Sequence, residues 1–151
     1  MTIFRLTTGS FAHDISGQGA KIYGGRWNPV GIGVVYMSEF ISLSILEILV
    51  QADKYTSPDS YTLLSIQVPE NSVVDLDIKN LKIDWQNHIE YTRAIGEEFL
   101  KANEALVLKV PSAIVPQEHN FLINPLHKDF KKVKIVNSEL LELDKRLFQT
   151  Q

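Results

Sequence analysis

The chain has 151 residues, a net charge of −3, 44% hydrophobic and 22% charged side chains and no cysteine, which suits one globular domain over 1–151. These values exclude a disulfide scaffold, thiolate metal sites, a cysteine nucleophile and wholesale disorder. With 15 Lys and Arg against 18 Asp and Glu, broad binding to a phosphate backbone is disfavoured and no direct DNA contact is expected.

Ile3 to Leu6 reads as a short strand bounded by Thr7-Thr8-Gly9-Ser10. Six of the eight glycines fall between Gly17 and Gly33, a density that predicts irregular backbone making close approaches rather than a regular helix. Val34 to Met37 is a strand. Residues 41–52 have helical spacing, with Ile41, Ile45, Ile48, Leu49 and Ala52 as the apolar stripe and Ser38 or Ser42 as the cap. Tyr61 to Val68 is a strand ended by Pro69, and Val73 to Ile78 another short one. A second helix spans 87–101, capped by Asn87, with Glu90, Arg93 and Glu97 on a solvated face. Short strands follow at 105–110, 114–115, 120–123 and 132–136. Without a regular βαβ alternation, this order predicts an α+β fold with mixed sheets and flanking helices. Lys128, Lys131, Lys132 and Lys134 form a basic run that reads as a solvated strand edge or as a contact for an acidic partner. Met1 runs straight into the first strand, and no apolar run approaches the ~20 residues of a membrane helix, so a soluble, cytoplasmic protein is expected.

No P-loop and no helix-opening GxGxxG is present. His13, His88, His119 and His127 show no helical metal spacing, so no metal is expected. The most unusual stretch is Gly24-Gly25-Arg26-Trp27-Asn28-Pro29. Its glycines let the backbone approach a ligand, and the Arg26 fork fits a phosphate or carboxylate. Trp27 adds a flat apolar surface and Asn28 an amide. A turn with a structural Arg–carboxylate pair explains the same residues. Glu47 is a lone carboxylate in an apolar helix, so it either faces solvent along Ser44 and Gln51 or points into a site. Ser112 has a hydroxyl at a strand end, with no His–Asp context to mark it as a nucleophile. These residues describe an Arg-bearing, glycine-lined pocket without naming a reaction.

The order of GAKIYGGRWNPVG (19–31), VVYMSE (34–39), LEILV (46–50), VPSAIVPQEHNFLINPLHKDF (110–130) and the tail Asp144-Lys145-Arg146-Leu147 resembles the RES-domain toxins of the RES–Xre toxin–antitoxin family. The resemblance covers nearly the whole chain. The family's Arg, Glu and Ser match Arg26, Glu47 and Ser112, while Lys128 stands where the family usually has a proline after NPLH.

This resemblance implies a fold similar to diphtheria-toxin-like ADP-ribosyltransferases and NAD+ as the substrate. It implies cleavage of the nicotinamide–ribose bond with water or phosphate as acceptor and arrest of growth. Transfer of ADP-ribose to a host protein, or non-catalytic nucleotide binding, are the alternatives. It also implies a helix-turn-helix, Xre-type antitoxin that carries the DNA contact, and it is compatible with a homodimer. By the same resemblance Arg26, Glu47 and Tyr36 are the catalytic candidates, with Gly25, Trp27, Asn28, Ser112 and Asn120 touching substrate. Glu47 would stabilise an oxocarbenium-like ribose, Arg26 the pyrophosphate, and Tyr36 would flank the nicotinamide.

Overall fold

A computed structural model describes residues 1–51 and 60–148. Its strands are β1 (Thr2–Thr7), β2 (Val35–Ser38), β3 (Tyr61–Gln67), β4 (Val73–Asp75), β5 (Val107–Pro111), β6 (His119–Ile123) and β7 (Lys134–Leu141). Its helices are α1 (Gln18–Tyr23), α2 (Ile41–Gln51) and α3 (Ile89–Ala102). The strands form a seven-stranded sheet in the order β4-β5-β6-β2-β1-β3-β7. The β4–β5 pair is parallel and the other neighbours are antiparallel. This is the α+β, mixed-sheet class expected from the sequence.

The sheet is nearly divided in two. Six residue pairs join β1 to β3 and four join β2 to β6. Between β1 and β2 there is only the pair Phe4–Ser38. Side chains alternate across a strand, so the register assigns them to faces. Ile3, Val35, Met37, Leu64, Ile66, Val107, Phe121 and Ile123 pack together on one face, joined by Ile15 and Phe130 from the loops.

The other face carries two separate apolar clusters. Near β5 and β6, Leu108, Val110 and Leu122 pack with Trp27, Trp85 and the α3 residues Tyr91, Ile95, Phe99 and Leu100. Near β1 and β3, Leu6, Tyr61 and Leu63 pack with Phe4 and the α2 residues Ile45 and Ile48. The β1–β2 seam, with Ser38 on this same face, lies between the two clusters. A polar group can occupy this position without disrupting either core.

Several local expectations change. The glycine-rich stretch contains α1, because Gly17 (φ 77°) and Gly24 (φ 70°) bracket the helix and only Gly19 lies within it. A Cβ on Gly17 would come within 2.8 Å of the Val34 nitrogen, so the turn also needs the missing side chain to meet β2. Neither Ser38 nor Ser42 caps α2. Ser38 ends β2, Ser42 lies inside the helix, and the Phe40 carbonyl accepts the first helical bond from Ser44 N. The inward face of α2 runs through Leu43, Ser44, Ile45 and Ile48, while Ile41 is exposed. Ala52, the end of the expected stripe, lies outside the described residues.

Asn87 closes a 3₁₀ turn, Trp85–Asn87, and its amide bonds Asp84, so His88 takes the cap position of α3. Ile114 and Val115 form a turn, not a strand, because their amides are taken by the Ser112 hydroxyl. Lys134 opens β7 on the sheet's edge and Lys132 pairs with Asp129 at 3.0 Å, in line with the strand-edge reading of the basic run.

Candidate active site

Strand β2 provides two anchors on the seam face, Tyr36 and Ser38, about 7 Å apart along the strand. Tyr36 holds the Arg26 loop. Its hydroxyl donates to Asn28 Oδ1 at 2.6 Å and accepts from the Trp27 amide at 3.0 Å. The Asn28 amide donates to the Ala20 and Ile32 carbonyls, both at 2.8 Å, and so ties the loop to α1 and to the approach to β2. Burial pushes the Tyr36 phenol well above its ordinary value, against the opposing pull of the Trp27 amide and the Arg93 and Arg26 guanidiniums. It therefore stays protonated across the physiological range.

Helix α3 holds the loop from the other side. Thr92 Oγ1 donates to the Arg26 carbonyl at 2.6 Å, and Arg93 Nε donates to the Gly25 carbonyl at 2.8 Å. A Cβ on Gly96 would lie 1.7 Å from the Trp27 carbonyl oxygen, so the helix approaches the loop backbone as closely as it does only because residue 96 is glycine. Trp27 packs on Trp85 with ring centres 5.8 Å apart. Arg26 lies over Trp85, 6.0 Å from its ring centre, and Nη1 donates to the Gln86 carbonyl at 3.0 Å. Among the described residues no carboxylate pairs with Arg26, so the structural Arg–carboxylate explanation finds no partner there.

Ser38 belongs to the second half of the site. Its hydroxyl donates to Asn120 Oδ1 at 2.9 Å, and Asn120 Nδ2 donates to Glu47 Oε1 at 2.6 Å. The Ser112 hydroxyl donates to the same Oε1 at 3.1 Å. Helix α2 thus turns Glu47 towards β6 and the turn after β5, not towards bulk solvent. Two donors on one carboxylate oxygen are worth about 1.5–3 kcal/mol each as charge-assisted bonds, enough to fix one rotamer. Next to this cluster, Glu39 Oε2 accepts from the His119 amide and faces its Nδ1 at 3.0 and 3.1 Å, joining the start of α2 to β6. His127 Nδ1 accepts from the Asp129 amide.

The sequence candidates thus separate into two groups. Arg26 and Glu47 are half-buried. Ser112 and Asn120 meet Glu47. Trp27, expected to touch substrate, is 2% exposed and Asn28, expected likewise, 0%: in this structure the indole packs in the core and the amide closes the loop. Ser112, also expected to touch substrate, is fully buried, and in this structure its hydroxyl proton goes to Glu47. Tyr36 has its hydroxyl engaged on both sides, which makes it the fastener of the Arg26 loop. Gly25 serves this packing too, because a Cβ there would meet the Tyr36 hydroxyl at 2.7 Å.

Ser38, Thr92, Arg93 and Gly96 were not among the sequence candidates. Arg93 was assigned to a solvated face, yet its Nε reaches the loop. Gly96 did carry a signal, since a glycine inside a helix costs up to about 1 kcal/mol and needs a reason. A cleft of about 290 Å³ beside Asp75, Asp77, Lys109 and His119 contains none of these site residues. Lys109 and His119 put it on the opposite face of the sheet from Asn120.

Residues 2–144 match the family described as the RES domain. The chain is 39% identical to the "Toxin Res" of Photorhabdus laumondii, over 100% of this chain and 99% of that protein. It is 37% identical to the "Prs ADP-ribosylating toxin" of a Sphingobium species, over 82% of this chain and 80% of that relative. Among solved structures, the M. tuberculosis MbcT–MbcA toxin–antitoxin complex contains a chain that superposes with a TM-score of 0.76. The superposition covers 97% of this chain and 86% of that one at 21% identity, which is a likeness of fold.

Proposed function

The chain belongs to the RES domain family, and from that premise we propose that it is the toxin of a toxin–antitoxin pair and consumes NAD+ by breaking the nicotinamide–ribose bond. The observation that carries the proposal is Glu47, held by Ser112 and Asn120 on the same sheet face as the loop of an Arg26 with no carboxylate partner among the described residues. Arg26 takes the pyrophosphate, for which its planar fork is suited. The bond between ribose C1′ and the nicotinamide nitrogen breaks, and its electron pair leaves with nicotinamide, which becomes neutral. Positive charge then develops on C1′ and the ring oxygen, as in other glycosidic cleavages. The Glu47 carboxylate faces this charge and stabilises it more in the transition state than in the ground state. Water or phosphate attacks C1′ and gives up a proton, leaving ADP-ribose or its phosphorylated form.

Expression in bacteria tests this reading. Wild-type protein arrests growth as the cellular NAD+ measured by mass spectrometry falls, and Glu47→Gln does neither. Arrest with NAD+ unchanged would contradict it.

The Sphingobium relative's name favours a second reading, transfer of ADP-ribose onto a protein. NAD+ labelled in its adenine half and incubated with host lysate separates the two: label in small products means degradation, and label in a protein band means transfer. Nucleotide bound and recovered intact would point to a non-catalytic module. The partner in this proposal is a helix-turn-helix antitoxin that covers the site and carries the DNA contact.

A further inference from the structure

We propose that Ser38 is a positioning residue that acts on Glu47 through the side chain of Asn120, an inference that rests on the NAD+-cleaving reading of the site. Ser38 is 5% exposed, on the last position of β2, at the one pair that joins the two halves of the sheet. An asparagine amide can present either its oxygen or its nitrogen. Here Oδ1 receives the Ser38 proton at 2.9 Å, which leaves Nδ2 to face Glu47 at 2.6 Å.

Ser112 is organised in the same way. The amides of Ile114 and Val115 donate to its oxygen at 3.1 and 3.2 Å, so its own proton goes to Glu47. Each donor to Glu47 therefore has a donor behind it that fixes its direction. Both converge on Oε1. Among the described residues none donates to Oε2, so both donors fix the carboxylate through the same oxygen. Removing the Ser38 hydroxyl leaves Asn120 Oδ1 without that donor and frees the amide to swing, which loosens the carboxylate without changing the residue that meets substrate.

The test compares Ser38→Ala, Ser38→Thr, Asn120→Ala and the double variant Ser38→Ala/Asn120→Ala. NAD+ turnover gives kcat and KM separately, and thermal unfolding checks the fold. Ser38→Ala is expected to lower kcat by on the order of tenfold or more with KM nearly unchanged, the size of effect that misplacing a reacting group produces. Ser38→Thr is expected to restore it, and the double variant to be no slower than Asn120→Ala alone. Wild-type kcat in Ser38→Ala, or multiplicative losses in the double variant, would overturn the inference while leaving the reading of the site intact.

The side-chain amide of Asn120, followed by NMR without substrate, tests the same contact even if NAD+ proves not to be the substrate. Its protons are expected to be shifted downfield and slow to exchange in the wild type, and to lose both properties in Ser38→Ala. Unchanged amide signals would overturn the inference whatever the chemistry.

Discussion

Tyr36 shows how one side chain can matter to a site without being free to react in it. Its hydroxyl links the Asn28 amide to the Trp27 backbone, so Tyr36→Phe removes two hydrogen bonds and leaves the Asn28 oxygen without that donor. A loss of about 1–3 kcal/mol is expected, read from denaturant midpoints. The variant should also differ in alkaline pH dependence. Burial raises the folded-state phenol above its unfolded value of about 10, so the stabilisation is fully present below pH ~10. Above that the unfolded chain holds fewer protons than the folded one, and stability falls as pH rises, by up to about 1.4 kcal/mol per pH unit from this group. Tyr36→Phe should show a shallower fall than wild type, and equal slopes would show that the phenol ionises normally in the fold.

Arg26→Lys keeps the charge but loses the planar fork. KM for NAD+ should rise by roughly tenfold with a smaller change in kcat, and an unchanged KM would remove Arg26 from pyrophosphate binding. Arg26 and Glu47 stood out in the sequence because a cation after two glycines and a carboxylate in an apolar helix each demand an explanation, and the family resemblance, not the spacing, gave them a role. Sequence shows which groups stand next to Arg26 but not which way they point, so the burial of Trp27 and Asn28 could not be read from it. The two residues that follow the half-buried Arg26 are both buried.

At the scale of elements, α3 and β2 hold the Arg26 loop between them. Gly96→Ala would place a Cβ where the Trp27 carbonyl stands, 1.7 Å away, so helix and loop must separate. Overpacking of this kind costs about 1–3 kcal/mol, and here it also strains the Thr92 and Arg93 contacts to the loop. Both a lower Tm and a loss of NAD+ turnover are expected, whereas unchanged values would mean that the loop does not depend on this close approach. Helices and strands were mostly legible, since their apolar spacing is a local property. Their ends were less so: Phe40 and His88, not the polar residues nearby, occupy the cap positions of α2 and α3, because Ser38 and Asn87 are engaged elsewhere. The 114–115 strand failed for a related reason. Its amides satisfy Ser112, a contact that local propensity does not encode.

For the whole molecule, the decisive feature is the seam between β1 and β2, which no sequence pattern announced. It separates two apolar clusters on one face of the sheet and leaves room for a polar cluster assembled from β2, α2, β6 and the turn after β5. The net charge of −3 fits this arrangement, since the proposed site relies on one arginine and not on a basic face. The chain alone should therefore show no salt-sensitive retention of duplex DNA in fluorescence anisotropy at about 150 mM salt, and retention would move the DNA contact onto this chain. None of its described helices is long and apolar enough to cross a membrane. The central claim is that Glu47, held at this seam, drives cleavage of the nicotinamide–ribose bond. Release of free nicotinamide from NAD+ by the purified protein, followed by NMR for wild type and for Glu47→Gln at matched Tm, tests it most directly. The account predicts steady release by wild type and a loss of at least about 100-fold in the variant; no release by wild type, or equal release by both, would contradict it.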